Sequence, residues 1–131
     1  RQPVNPKFIT PKELVCGQML MNGTNIFLFA VKKVPLLVNQ ILEKNKLTKE
    51  DIDLFVFHQA SYFILEVIRK KLKLPPEKVY INIQEYGNSV SSTIPLAMYD
   101  AEKKGILKKG MKVLVAGFGI GNSWGATIIN Y

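Results

Sequence analysis

An α/β fold, in which a largely parallel sheet is covered by helices on both faces, is what the amino-acid sequence predicts. Three observations carry it. Segments with apolar residues at three- and four-residue steps alternate with short apolar runs of strand length. Leu54-Phe55-Val56-Phe57 is apolar without interruption, as strands covered on both faces are. A glycine-rich turn, too short for a crossover, joins the last two strands, so the final strand is expected to run antiparallel to its neighbour.

Residues 1–23, rich in Pro, Asn and Gly, read as an irregular lead-in to a domain over residues 24–131. From about Asn25 the positions Ile26, Phe29, Ala30, Val34, Leu37, Val38 and Ile41 form one face of a helix ending near Asn45. Pro35 lies inside it and predicts a kink or a break into two shorter helices. The strand Leu54–Phe57 ends at His58-Gln59-Ala60. Ser61 can cap a helix carrying Ile64, Leu65, Val67, Ile68 and Leu72, which stops at Leu74-Pro75-Pro76. Residues 79–83 predict a second strand, and a polar turn through Tyr86-Gly87-Asn88 leads to a helix that Ser91 or Ser92 can cap. Pro95 fits its first turn and Gly105 its end. Residues 111–116 form the third strand, the turn Gly117-Phe118-Gly119-Ile120-Gly121 follows, and residues 125–130 form the last.

The 131 residues are enough for one domain with a substantial core. With 47% hydrophobic and 21% charged residues the chain is neither disordered nor fibrous. No apolar run reaches the roughly 18 residues that a membrane helix requires, so no membrane partner is expected. The opening Arg1-Gln2-Pro3-Val4-Asn5 has no initiator Met and no apolar signal core, which suggests a piece of a longer chain. One cysteine, Cys16, allows no internal disulfide, and one histidine, His58, allows no all-His/Cys metal cluster. A reduced, cytoplasmic setting without a bound metal is expected. The net charge of +8 favours acidic partners. Because the lysines are dispersed in short groups and no zinc-finger, homeodomain or RNA-recognition motif accompanies them, nucleic acid is not expected among those partners.

In open α/β sheets ligands bind beyond the carboxyl ends of the strands, and three turns of this chain lie there: His58-Gln59-Ala60, Tyr86-Gly87-Asn88, and Gly117 to Gly121. Taken alone, a single histidine is an ordinary turn residue and an Asn after Gly merely tolerates a left-handed turn. Their position suggests more. A neutral imidazole, a carboxamide and the N–H groups of a glycine turn can all point at a developing oxyanion without carrying charge. The glycine turn is neither a phosphate-binding P-loop nor a dinucleotide fingerprint, since no Gly-Lys-Ser/Thr and no helix follow it. Cys16 has no expected helix N-terminus to activate it and reads as a small buried hydrophobe.

Three motifs together carry a resemblance: Phe57-His58-Gln59-Ala60; Tyr86-Gly87-Asn88-Ser89 with Ser92, Ile94 and Pro95; and Gly117-Phe118-Gly119-Ile120-Gly121 before Ser123-Trp124-Gly125. In this order and spacing they resemble the C-terminal half of β-ketoacyl-acyl-carrier-protein synthase III, of the thiolase superfamily, from about Met21 to the end. The resemblance implies a thiolase-like half, a three-layer α/β/α unit with a mixed, mostly parallel sheet. It implies that His58 and Asn88 are catalytic, working with a cysteine from an N-terminal half, and that acyl-coenzyme A and acyl-carrier-protein thioesters are substrates with no bound cofactor. Gly119, Ile120 and Gly121 would contribute backbone donors to a second oxyanion hole, Phe118 would wall the pocket, and Lys70 and Lys71 would meet the acyl carrier protein. A homodimer is implied for the whole enzyme.

Several departures accompany the likeness. Ile120 stands where the family usually has Gly, Ser61 replaces an Asn, and Leu28 and Phe63 stand where basic residues commonly meet the carrier. Cys16 does not match the nucleophile's motif, so this chain alone is expected to be inactive. Two other readings stay open, an acyltransferase of the same fold that does not decarboxylate and a non-catalytic basic binding module.

Overall fold

A computed structural model describes residues 22–119 and 121–131. The expected lead-in and Cys16 lie almost wholly outside the described residues, as does Ile120. The elements are α1 (Gly23–Lys44), β1 (Leu54–Phe57), α2 (Tyr62–Leu72), β2 (Val79–Tyr80), α3 (Ile83–Tyr86), α4 (Thr93–Lys103), β3 (Lys112–Gly119) and β4 (Ser123–Asn130). They form one four-stranded sheet in the order β2-β1-β3-β4. β1 lies parallel to both β2 and β3, with Phe57 opposite Ala116, and β4 lies antiparallel to β3. The mixed sheet thus has the hand of strand pairing that the sequence predicts.

The pleat of β1 sorts its side chains onto two cores. Phe55 and Phe57 meet Ala30, Val34, Val38 and Leu42 of α1 and Leu65, Ile68 and Leu72 of α2. Leu54 and Val56 meet Ala97 and Ala101 of α4, with Tyr80 and Val113. Helices therefore cover both faces, and the unbroken apolar run in β1 is explained by its two-sided burial.

Several local expectations are corrected. α1 begins at Gly23, two residues before the expected start, because Asn22 caps it and accepts a bond from the Asn25 N–H at 3.0 Å. Pro35 does not divide this helix. Its missing N–H would have bonded the Val31 carbonyl one turn back, and that carbonyl instead accepts from the Lys71 ammonium of α2 at 3.1 Å. α1 is also long and apolar enough to cross a membrane by length and composition, contrary to the count of apolar runs, because Lys32 and Lys33 interrupt the run but not the helix. Its Ala30-Val34-Val38-Leu42 stripe is buried on the sheet.

β2 is two residues long rather than five. The Gln59 side chain takes the place of the ladder beyond it: its Oε1 accepts from the Asn82 N–H at 3.1 Å, and its Nε2 donates to the Phe57 and Tyr80 carbonyls at 2.8 and 3.3 Å. The chain then turns into α3. Ser61 caps α2 as expected, accepting from the Ile64 N–H at 3.2 Å. Neither Ser91 nor Ser92 caps α4 through its side chain; the helix is entered through a 3₁₀ turn, Val90–Ser92. β3 continues through Gly117 and Phe118 to Gly119, so the expected glycine turn is largely strand.

Candidate active site

His58 follows directly on β1 at the carboxyl end of the parallel strands. Its N–H donates to the Ala116 carbonyl of β3 at 2.9 Å, which extends the β1–β3 ladder by one residue and fixes the backbone. The ring is held on two sides. Phe118 meets it edge-on, with ring centres 5.3 Å apart and planes at 81°, and Nδ1 lies 2.7 Å from the Thr93 hydroxyl at the start of α4. Burial lowers the His58 pKa from its ordinary value and so favours the neutral ring, against an opposing pull from the Val90 carbonyl.

Asn88 is brought to the same place by a loop tied to the His58 turn. Its Nδ2 donates to the Ala60 carbonyl at 3.3 Å, and its Oδ1 accepts from the Val90 N–H at 3.0 Å. A carboxamide nitrogen has two hydrogens, so one remains for a ligand. The preceding Gly87, at φ 67° and ψ −171°, occupies a region that is essentially open only to glycine. Val90 at φ 55° is a β-branched residue in left-handed backbone, which costs about 1–3 kcal/mol and persists where surrounding bonds over-determine it. Here they do: Asn88 holds its N–H, its carbonyl accepts the Thr93 N–H, and the Thr93 hydroxyl lies 2.9 Å from that carbonyl. The hydroxyl of Ser89 is buried without a partner among the described residues.

The base of this loop rests on Asp100, a buried carboxylate of α4. It accepts from the Tyr80 hydroxyl at 2.7 Å, Lys104 at 3.0 Å, the Asn82 carboxamide at 3.3 Å and the Tyr86 hydroxyl at 3.3 Å. Burial raises its pKa, but the bonds from Tyr80, Lys104 and Asn82 outweigh that and hold it below the usual carboxylate value. The Tyr80 phenol is pushed up to about 12 by burial and by its bond to Asp100.

The structure therefore brings His58, Asn88 and Phe118 to one end of the sheet. Gly117, Phe118 and Gly119 of β3, with Ser123, Trp124 and Gly125 of β4, line a shallow open depression beside them. Gly121 lies in the exposed turn between these strands. Lys70 and Lys71 lie at the far end of α2 from this cluster, in its last turn; Lys70 is exposed, whereas the Lys71 ammonium is engaged by Val31. Gln59 has no role assigned from the sequence, although it lies in a motif, and neither Asp100 nor Thr93 is singled out there. Gln59 and Asp100 are polar and almost fully buried, and Thr93 touches His58. The only local hint was the His-Gln-Ala turn itself; Thr93 reads as one more potential cap in a Ser-Ser-Thr run.

A family model described as "3-Oxoacyl-[acyl-carrier-protein (ACP)] synthase III C terminal" matches residues 42–131. The chain belongs to this family. A β-ketoacyl-[acyl-carrier-protein] synthase III of Clostridium acetobutylicum is 44% identical over 128 residues, covering 98% of this chain and 39% of the relative. One from Clostridium novyi is 40% identical over 129 residues, covering 98% of this chain and 40% of the relative. Among solved structures, the synthase III of Thermus thermophilus superposes with a TM-score of 0.85 at 37% identity, covering 99% of this chain and 39% of that one. That of Aquifex aeolicus superposes with a TM-score of 0.84 at 37% identity, covering 88% and 38%. The chain spans about two fifths of the length of these synthase III relatives. Their thiolase-like fold is the fold described above.

Proposed function

We propose that this chain is the C-terminal catalytic half of a 3-oxoacyl-acyl-carrier-protein synthase III, acting in fatty acid biosynthesis. The observation that carries the reading is that the Asn88 loop and the His58 turn are stitched together through Ala60 and Thr93. These bonds support the reading that two uncharged donors, one just after β1 and one just after α3, act on one region.

The reaction follows from that pairing. A cysteine thiolate in the N-terminal half attacks the carbonyl of acyl-coenzyme A, and coenzyme A leaves as its thiolate, which takes a proton from water. Malonyl-carrier protein then loses carbon dioxide, and the electron pair of the broken C–C bond passes into an enolate whose thioester oxygen carries the charge. His58 Nε2–H and the free Asn88 Nδ2–H hold that oxygen. The enolate carbon attacks the acyl-cysteine, and the thiolate leaves to give 3-oxoacyl-carrier protein. Donors that meet charge only as it develops stabilise the transition state more than the substrate. The backbone N–H of Ile120, flanked by Gly119 and Gly121, serves the tetrahedral intermediate on the cysteine, and Phe118 walls the pocket. Lys70 and Lys71 lie on the surface offered to the acidic carrier protein, and the whole enzyme is a cytoplasmic homodimer.

The test is made in the full-length enzyme with its two half-reactions separated. Asn88→Ala is expected to suppress malonyl decarboxylation by about 10²- to 10³-fold, the usual cost of one oxyanion donor, while acylation of the cysteine largely survives. If decarboxylation is unchanged and an alcohol or amine acceptor is still acylated, the non-decarboxylating acyltransferase is the correct reading.

A further inference from the structure

The Thr93 hydroxyl carries one proton and has two neighbours that could take it. His58 Nδ1 is 2.7 Å away and the Val90 carbonyl is 2.9 Å away. The choice decides what the imidazole can do. If the hydroxyl donates to Val90, Nδ1 must be protonated to share the 2.7 Å contact, and the Nε2 of a neutral ring is then an acceptor. If the hydroxyl donates to Nδ1, the proton sits on Nε2, which becomes a donor. The Val90 carbonyl also lies close enough to the ring to compete for its proton, and Nε2, to which the described residues give no hydrogen bond, is the nitrogen left for a ligand.

The Val90 carbonyl does not need the hydroxyl. It already accepts the Thr93 N–H, so turning the hydroxyl to Nδ1 leaves no acceptor orphaned. Val90 itself stands in left-handed backbone at φ 55°, secured at its N–H by Asn88 Oδ1. The segment that presents Thr93 to His58 is therefore the one that carries Asn88.

We propose that Thr93 is a positioning residue: its hydroxyl donates to Nδ1 of His58 and so keeps the imidazole proton on Nε2, facing the substrate oxygen. This rests on the reading of His58 as an oxyanion donor and adds the group that makes it one. No covalent step is involved. The hydroxyl acts only by placing the proton of a ring that stays neutral.

The experiment is nitrogen-15 NMR of the full-length enzyme with ring-labelled histidine, above pH 7, with the His58 signals assigned by their loss in His58→Gln. The wild type is expected to show the Nε2–H tautomer. Thr93→Val, equal in shape but without the hydroxyl, is expected to shift His58 toward the Nδ1–H form. It should also lower kcat for malonyl decarboxylation by about 10- to 100-fold, the range in which groups orienting an imidazole act, with KM little changed. Thr93→Ser is expected to restore both. A wild type in the Nδ1–H form overturns the inference, as does a Thr93→Val enzyme whose tautomer is unchanged. If Thr93→Val does not fold, the wild-type tautomer and the Thr93→Ser enzyme still decide. Should His58→Ala leave decarboxylation intact while the tautomer still responds to Thr93, the condensing reading falls and the control of the tautomer stands.

Discussion

Lys71 replaces a bond that Pro35 removes, and the two residues should therefore be energetically coupled. Proline at position 35 leaves the Val31 carbonyl of α1 without its N–H partner, and Lys71 Nζ, 40 residues further along the chain from Val31, donates to it at 3.1 Å. Lys71→Met keeps most of the aliphatic stem and deletes the donor. An acceptor left unsatisfied costs about 1–3 kcal/mol, and because Lys71 is on the surface and water can replace part of the bond, the low end applies, about 1 kcal/mol. Pro35→Ala supplies the missing N–H. It should stabilise by about 3 kcal/mol from helix propensity and hydrogen bonding, less about 1 kcal/mol for the freedom it returns to the unfolded chain. In the Pro35→Ala background the Val31 carbonyl has its helical partner, so Lys71→Met should cost close to nothing. Urea unfolding of the two single variants, the double variant and the wild type should give a coupling of about 1 kcal/mol. Additivity within about 0.3 kcal/mol would refute the argument, because it would mean that the lysine does not compensate for the proline.

Asp100→Ala leaves the buried Tyr80 hydroxyl and Asn82 carboxamide without their acceptor, and should cost about 2–5 kcal/mol in the same unfolding assay. Because the folded-state pKa of Asp100 is lowered, its stabilisation is present above the unfolded value near pH 4 and is lost as pH falls through the folded one; the gap between wild type and Asp100→Ala should narrow in that range. His58 should titrate below the ordinary histidine value in NMR, and since its folded pKa is lowered, its neutral burial favours folding above about pH 6.5 and loses that benefit as pH falls through the folded pKa. A His58 that titrates at or above the free value would show that the ring is not buried as described. Gly87→Ala forces a side chain into φ 67°, ψ −171°, and should destabilise by about 1–3 kcal/mol; on the proposed function it should also, in the full-length enzyme, lower malonyl decarboxylation more than cysteine acylation, measured as separate half-reactions.

What was legible in the sequence was what local rules govern. The Ser61 cap, the two-sided burial of Leu54–Phe57, the αL turn at Gly105 and the antiparallel last strand each depend on residues within a few positions of one another or on a repeating pattern. Two of the errors share a cause: a distant side chain replaces a backbone partner. Residues 79–83 are mostly β-branched and aromatic, as a strand's are, yet the ladder ends at Tyr80 because the Gln59 carboxamide takes the Asn82 N–H. Pro35 should interrupt its helix by every local rule, and a lysine from another helix makes the interruption unnecessary. No window of sequence contains both partners of either bond.

The same division holds for the site. The proposed site residues His58, Asn88 and Phe118 are singled out by motifs of fixed spacing, His58 just after β1, Phe118 near the end of β3 and Asn88 just after α3. The residues that give those groups their chemical state are not. Asp100 anchors the Asn88 loop through the hydroxyl of Tyr86 and the carboxamide of Asn82, and Thr93 reaches His58 from the first turn of α4. A single helix therefore serves both proposed donors, Asp100 steadying the loop that carries one and Thr93 meeting the ring of the other. Within one helix of 11 residues the two supports cannot shift far relative to each other. A distortion of α4 should then impair His58 and Asn88 together, whereas a change in the α1–α2 layer, on the other face of the sheet, should alter stability first and reach the site through Phe118, which packs in that layer's core and meets His58 edge-on.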